Sequence, residues 1–242
     1  MSPKGVVVVG TDTDAGKTMV SAALVVGLRQ AGVPAGYLKP LASECAPGPE
    51  GRPVSPDVEL LHRLVGLKEP LYTLNPVCLR APLSPLAAAR EEGVELSLTA
   101  SAAACREFLA GQEFGVIEGV GGLLVPIAPG HTFLDLAVAL GLPVVVAARP
   151  GLGTINHTLL TLEALKLVGL PVVGFVFSHT HPADPGDPSV KENHALIVEY
   201  SGTPFMGALP YLGPRDQLDG QALGQAVRAN LDLSPLTELA GK

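Results

Sequence analysis

Apolar residues in this chain follow two rhythms. Short continuous runs occupy positions 6–10, 35–38, 114–118, 143–148, 172–177 and 204–209. They are rich in valine and alanine and end at glycine, proline or polar residues, as strands buried on both faces do. Between most of them, apolar residues recur every three or four positions, at 17–31, 58–65, 98–109, 156–168 and 190–200, which is helical spacing. This alternation predicts a doubly wound α/β fold, a mostly parallel sheet with helices on both faces. Two stretches break the rhythm: 45–56 is rich in proline and glycine, and 179–188 (HTHPADPGDP) carries the turn formers of a surface loop. Neither an internal repeat nor a linker divides the chain, so residues 1–242 are expected to form one domain.

Composition narrows the partners. Hydrophobic residues make up 47% and charged residues 16%, so the chain buries a large core. A net charge of -7 without any basic stripe argues against nucleic acid. The longest apolar runs are interrupted by glycine and proline and no charged-then-apolar leader is visible, which predicts a soluble, cytoplasmic protein without membrane contact. Cys45, Cys78 and Cys105 are odd in number and lack C-x-x-C spacing; they are expected to be reduced and mostly inert.

The first strand-to-helix turn carries chemistry. In VVVVGTDTDAGKTMV (6–20), Gly10, five further residues and then Gly16-Lys17-Thr18 resemble a Walker A loop with one residue more than the common gap. Such a P-loop turns successive N–H groups inward, adds the positive end of a helix dipole, and lets Lys17 reach the terminal phosphates of a nucleotide. Thr18 would offer its hydroxyl to magnesium. The 114–118 run delivers Glu118 at its carboxyl tip beside glycines, the usual presentation of a magnesium carboxylate. Lys39, held extended by Pro40, should project from the carboxyl edge of the sheet. Ser55 or Asp57 reads on local grounds as a helix cap.

Taken in order, GTDTDAGKT (10–18), GYLKPLAS (36–43), Asp57, Leu83-Ser84-Pro85, EGVGGLLVP (118–126) and LGTINHTLLT (152–161) resemble dethiobiotin synthetase. The resemblance implies a magnesium- and ATP-dependent ring closure of 7,8-diaminononanoate with carbon dioxide, through a carbamate and a carbamic-phosphoric anhydride, giving dethiobiotin, ADP and phosphate. It implies that Lys17 binds the β- and γ-phosphates, that Thr18, Asp57 and Glu118 share the magnesium ion, and that Lys39 lies between carbamate and γ-phosphate. Thr13 and Ser43 would contact the reacting groups, Asp14, Ala15 and Gly16 would line the phosphate loop, and Gly121 would allow close approach. The pocket would be completed across a homodimer by Gly153, Thr154, Ile155 and Asn156, with Asn156 also suited to cap the following helix.

Some positions depart from the family pattern. Phe177-Ser178-His179 stands where relatives often carry an Asn-Asp pair reading adenine, leaving Ser178 and the backbone of Leu209, Pro210 and Tyr211 as base contacts. Gly151 replaces a family lysine, with Arg149 two residues earlier. His179 and His181 read as exposed loop residues. Two other classes are disfavoured. An amidotransferase would need a separate glutaminase domain, and a nucleotide-switched positioning ATPase carries a second lysine where this chain has Asp12.

Overall fold

The valine-rich runs have no polar alternation because both faces of each strand are covered. In a computed structural model describing residues 5–48, 51–182 and 189–241, six strands form one parallel sheet: β1 (Gly5–Gly10), β2 (Ala35–Leu38), β3 (Phe114–Glu118), β4 (Val144–Ala148), β5 (Val172–Ser178) and β6 (Phe205–Leu209). Their spatial order is β6-β5-β4-β1-β3-β2. Each expected run is recovered within a residue at either end. Of the expected loop 179–188, residues 183–188 lie outside the described residues, as do 49–50 of the 45–56 stretch.

Among the described residues, eight helices of eight residues or more flank the sheet, numbered α1 (Lys17–Gln30), α2 (Pro56–Val65), α3 (Pro85–Glu92), α4 (Leu98–Ala110), α5 (Phe133–Leu140), α6 (Thr154–Leu167), α7 (Ser189–Ser201) and α8 (Gly220–Asn230). The two-residue period of the strands splits the core in two. Val6, Val8, Tyr37, Val116 and Val145 pack with residues of α1, α2 and α8 on one face. Val7, Val9, Ile117, Val144 and Val146 pack with α4, α5 and α6 on the other. The connection from β1 runs to β2 on one side and that from its neighbour β4 runs to β5 on the other, so a crevice opens between them at the carboxyl ends of the strands. Among the described residues no helix is long and apolar enough to cross a membrane.

The cysteines require a correction. Cys45 and Cys78 are joined as a disulfide, their Cα atoms 5.9 Å apart. Parallel pairing of Leu41–Ala42 with Val77–Cys78 brings them together across thirty-three residues, a contact no spacing rule would reveal. Cys105 is free and buried; burial pushes its thiol up to about 12, so it stays protonated at neutral pH.

Candidate active site

The loop between β1 and α1 takes its shape from two residues with positive φ, Asp14 (58°) and Gly16 (85°). At Gly16 a Cβ would lie 2.4 Å from the Ser178 side chain, so both conformation and space require glycine there. Ala15 is fully buried, while Thr13 and Asp14 are exposed. The Lys17 ammonium donates to the Asp12 carbonyl, 3.1 Å away. Burial, with Lys39 nearby as a second positive charge, lowers the Lys17 pKa to about 8. A bound phosphate would raise it again, so nucleotide binding at pH 8–9 should take up protons, and affinity should fall as pH rises through about 8. Calorimetry in buffers of different ionisation enthalpy measures that uptake; its absence would mean Lys17 does not meet the phosphates.

Lys39 emerges from β2 with its backbone fixed on both sides. Its N–H donates to the Leu74 carbonyl (2.8 Å), and its carbonyl accepts from Asn75 Nδ2 (2.7 Å). The side chain is not solvated: Lys39 is 3% exposed. Its ammonium donates to Asp57 Oδ2 (2.5 Å) and Glu118 Oε1 (2.8 Å). Burial alone would lower the Lys39 pKa, but the two carboxylates outweigh it and raise it. Burial alone would likewise raise Asp57, whereas Lys39 and Arg215 hold it well below the usual carboxylate range. Lys39 and Asp57 are both ionised at neutral pH.

Asp57 is therefore not a helix cap. Ser55 precedes α2 without a side-chain capping bond, and Asp57 on the first turn turns to Lys39 and to Arg215 Nη2 (2.7 Å). Glu118, fully buried at the tip of β3, also accepts from Thr18 Oγ1 (2.9 Å) and Tyr37 OH (2.8 Å). Burial and the Glu118 charge raise the Tyr37 pKa well above the usual phenol value, so its hydroxyl stays a donor.

One cleft of about 1090 Å³ is lined by Thr13, Asp14, Gly16, Lys17, Thr18, Lys39, Ser43, Asp57, Gly121, Ser178, Leu209, Pro210 and Tyr211. Glu118 lies behind this lining, hydrogen-bonded to Thr18 and Lys39. Gly121 has φ 59° and is crowded by Val125. Ser178 is 2% exposed, against Gly16. Gly153 and Thr154 line an adjoining cavity of about 380 Å³ with Thr11, Arg149 and His157, which shares His179, Thr180 and His181 with this cleft.

Asn156 is not the cap of α6. The helix begins at Thr154 after Gly153 (φ 91°), and Asn156 is exposed within its first turn, one residue beyond the half-buried Ile155. The preceding turn is fixed instead by buried Asn193, whose Nδ2 donates to the carbonyls of Pro150 (2.8 Å) and Gly151 (3.3 Å). Arg149 reaches Asp12 Oδ2 at 3.2 Å on the surface.

Sequence reasoning missed Tyr37, Asn75, Arg63 and Arg215. Arg63 donates to the carbonyls of Leu218 and Arg215 (both 2.6 Å) and so holds the 215–218 segment against α2. Tyr37 had a readable signal, since it stands two residues before Lys39 and therefore faces the same side of β2. The other three had none.

A glycine-lysine-threonine loop at the switch point of a parallel sheet, facing a lysine held by two carboxylates, defines a P-loop ATP-binding enzyme. A family model described as an AAA domain matches residues 4–217. The chain is 44% identical over 228 residues to an ATP-dependent dethiobiotin synthetase of Anaeromyxobacter dehalogenans, covering 94% of this chain and 99% of that one. It is 38% identical to that of Cellvibrio japonicus, covering 98% and 100%. It thus belongs to the dethiobiotin synthetase family. Among solved structures, the Pyrococcus furiosus cell division ATPase MinD superposes with a TM-score of 0.56 at 14% identity, covering 98% of this chain and 99% of that one. That likeness shows the shared α/β fold alone.

Proposed function

We propose that this protein, an ATP-dependent ligase of biotin synthesis, closes the ureido ring of dethiobiotin from 7,8-diaminononanoate and carbon dioxide, releasing ADP and phosphate. One amine adds to carbon dioxide and loses a proton, giving a carbamate. A carbamate oxygen attacks the γ-phosphorus as its bond to ADP breaks, forming a carbamic-phosphoric anhydride. The second amine attacks the carbamate carbon, loses a proton and expels phosphate. The protein has only to position the reactants and stabilise negative charge.

In this reading Lys17 holds the β- and γ-phosphates within the loop of Asp14, Ala15 and Gly16. Lys39 lies between carbamate and γ-phosphate, with Thr13 and Ser43 beside them. Gly121 leaves the reactants room, and Ser178 and the backbone of Leu209, Pro210 and Tyr211 face the base. Thr18, Asp57 and Glu118 hold magnesium, which when bound supplies positive charge to the phosphate oxygens. The donor set fits: hard oxygens only, with no group of three or more acidic, histidine or cysteine residues suited to a metal among the described residues. Magnesium is commonly held by one or two carboxylates together with waters and substrate phosphates. The observation that carries the reading is the buried ammonium of Lys39 beside Gly16-Lys17-Thr18 in one cleft.

Incubation with ATP, magnesium, bicarbonate and the diamine should release phosphate only when the diamine is present. Release that ignores the diamine would refute the assignment.

We also propose that the working unit is a cytoplasmic homodimer of this single domain, in which Gly153, Thr154, Ile155 and Asn156 serve the partner's cleft. Gly153 and Thr154 line the adjoining cavity rather than the part of the cleft that holds Lys39 and Ser43, which supports it. So does the apolar surface nearby, with Leu152 (93%), Leu160 (62%), Leu167 (84%) and Tyr200 (72%) exposed on and beside α6 and α7. The double change Leu160→Asp, Leu167→Asp should yield monomers by sedimentation and raise the diamine KM far more than it weakens ATP binding. A fully active monomer would count against the shared site.

A further inference from the structure

The two carboxylates assigned to magnesium are arranged alike. Each turns one oxygen inward to the same ammonium group: Lys39 Nζ meets Asp57 Oδ2 at 2.5 Å and Glu118 Oε1 at 2.8 Å. Thr18, the third assigned ligand, donates to that same Glu118 Oε1. Each carboxylate has its outer oxygen tied from behind, Glu118 Oε2 by Tyr37 OH at 2.8 Å and Asp57 Oδ1 by Arg215 Nη2 at 2.7 Å. All three proposed metal ligands therefore converge on a point held by a lysine.

Resting on the magnesium reading above, we propose that this point is a single cation seat used in turn by Lys39 and the divalent ion, and that Tyr37 is the positioning residue that keeps Glu118 facing it. Glu118 is fully buried and Asp57 half-buried, and two carboxylates brought together there repel each other unless a cation lies between them. In the free protein Lys39 is that cation. A divalent ion on the same oxygens would repel the ammonium at contact distance, so the two exchange. The backbone of Lys39 is pinned by Leu74 and Asn75, so the displaced ammonium moves through its side-chain torsions alone. The cleft it enters is the one lined by Lys17 and Thr18.

Exchange has a consequence for binding order. The metal alone must evict an ammonium that has nowhere better to go. With nucleotide present, the terminal phosphate gives that ammonium a new partner. Metal and nucleotide should therefore bind with strong mutual cooperativity, and metal binding itself would deliver Lys39 to the phosphoryl group. Tyr37 serves as a fixed wall because it is 1% exposed and paired in register with Val116, two residues before Glu118.

Manganese is the probe, with free ion followed by electron paramagnetic resonance and no turnover required. Lys39→Met should bind Mn2+ without nucleotide at least about tenfold more tightly than the unmodified protein, because the seat loses its occupant. Lys17→Met removes a nearby positive charge that hydrogen-bonds to neither carboxylate, and should raise that affinity distinctly less than Lys39→Met does. Tyr37→Phe should weaken Mn2+ binding in the presence of ADP by about tenfold, the scale of lost support behind a metal ligand, while diamine affinity holds.

Equal affinity in Lys39→Met, or an equal gain in Lys17→Met, overturns the exchange; an unaltered Tyr37→Phe overturns its positioning role. Should Lys39→Met fail to fold, crystals of the unmodified protein soaked with Mn2+ and ADP decide. Anomalous density beside Glu118 with Lys39 moved off both carboxylates supports the exchange, and density elsewhere or a Lys39 still bridging them overturns it. Phosphate release that depends on the diamine while these results fail would refute the seat and leave the ligase assignment standing.

Discussion

Lys39→Ala is expected to lower turnover about a hundredfold or more while nucleotide binding changes far less, because in the proposed reaction it removes a preorganised charge beside the transferring phosphoryl group. Steady-state phosphate release with saturating diamine gives the turnover, and calorimetric titration with ADP gives the binding. Folding needs its own control, since the variant leaves Asp57 and the fully buried Glu118 facing each other without the ammonium they share. A variant that melts cooperatively, binds ADP and turns over at the original rate would remove Lys39 from the chemistry.

Glu118→Gln should be nearly as damaging, and for two reasons that can be measured apart. Glu118 is 0% exposed and accepts from Lys39, Thr18 and Tyr37. The amide keeps the shape but brings a donor group among three donors and halves the counter-charge of a buried lysine. Removing one partner of such a buried pair costs roughly 3–5 kcal/mol, and for a chain of this size each kcal/mol is worth about 2–4 °C in Tm. A drop of about 10 °C is therefore expected, together with a loss of turnover of a hundredfold or more as the carboxylate proposed to hold magnesium disappears. Asp57→Asn provides the contrast, because its side chain is 33% exposed and water replaces part of what is lost. It should impair turnover comparably and shift Tm much less. Equal Tm shifts in the two variants would contradict the burial difference on which the argument stands.

The phosphate loop was legible because its chemistry is local. Gly16, Lys17 and Thr18 act through backbone conformation and through the first turn of α1, all within a few positions of sequence. Glu118 was legible for a similar reason, as the last residue of an apolar run. Asp57 was not. On local grounds it reads as a cap, and its partners Lys39 and Arg215 lie eighteen and 158 positions away. Asn156 failed in the same way, because a good capping residue type cannot reveal that Gly153 already starts the helix. The α3, α5 and α8 helices stand outside the five helical stretches expected from spacing. The α3 and α5 helices span only eight residues each, and α8 builds its one-sided buried face largely from small residues, with Leu223 and Val227 its only large apolar side chains there, so each offers only a short apolar signal.

By itself the sequence determined the six strands, the principal helices, the double-wound layering and the phosphate loop, because periodicity and turn chemistry act over a few residues. Only the tertiary structure decided which side chains meet. The insertion of β3 between β1 and β2 sets Glu118 beside Lys39 and Tyr37, seventy-nine and eighty-one positions away. The pairing of two short strands joins Cys45 to Cys78. Strand order is set by how whole layers pack, and no local pattern along the chain records it.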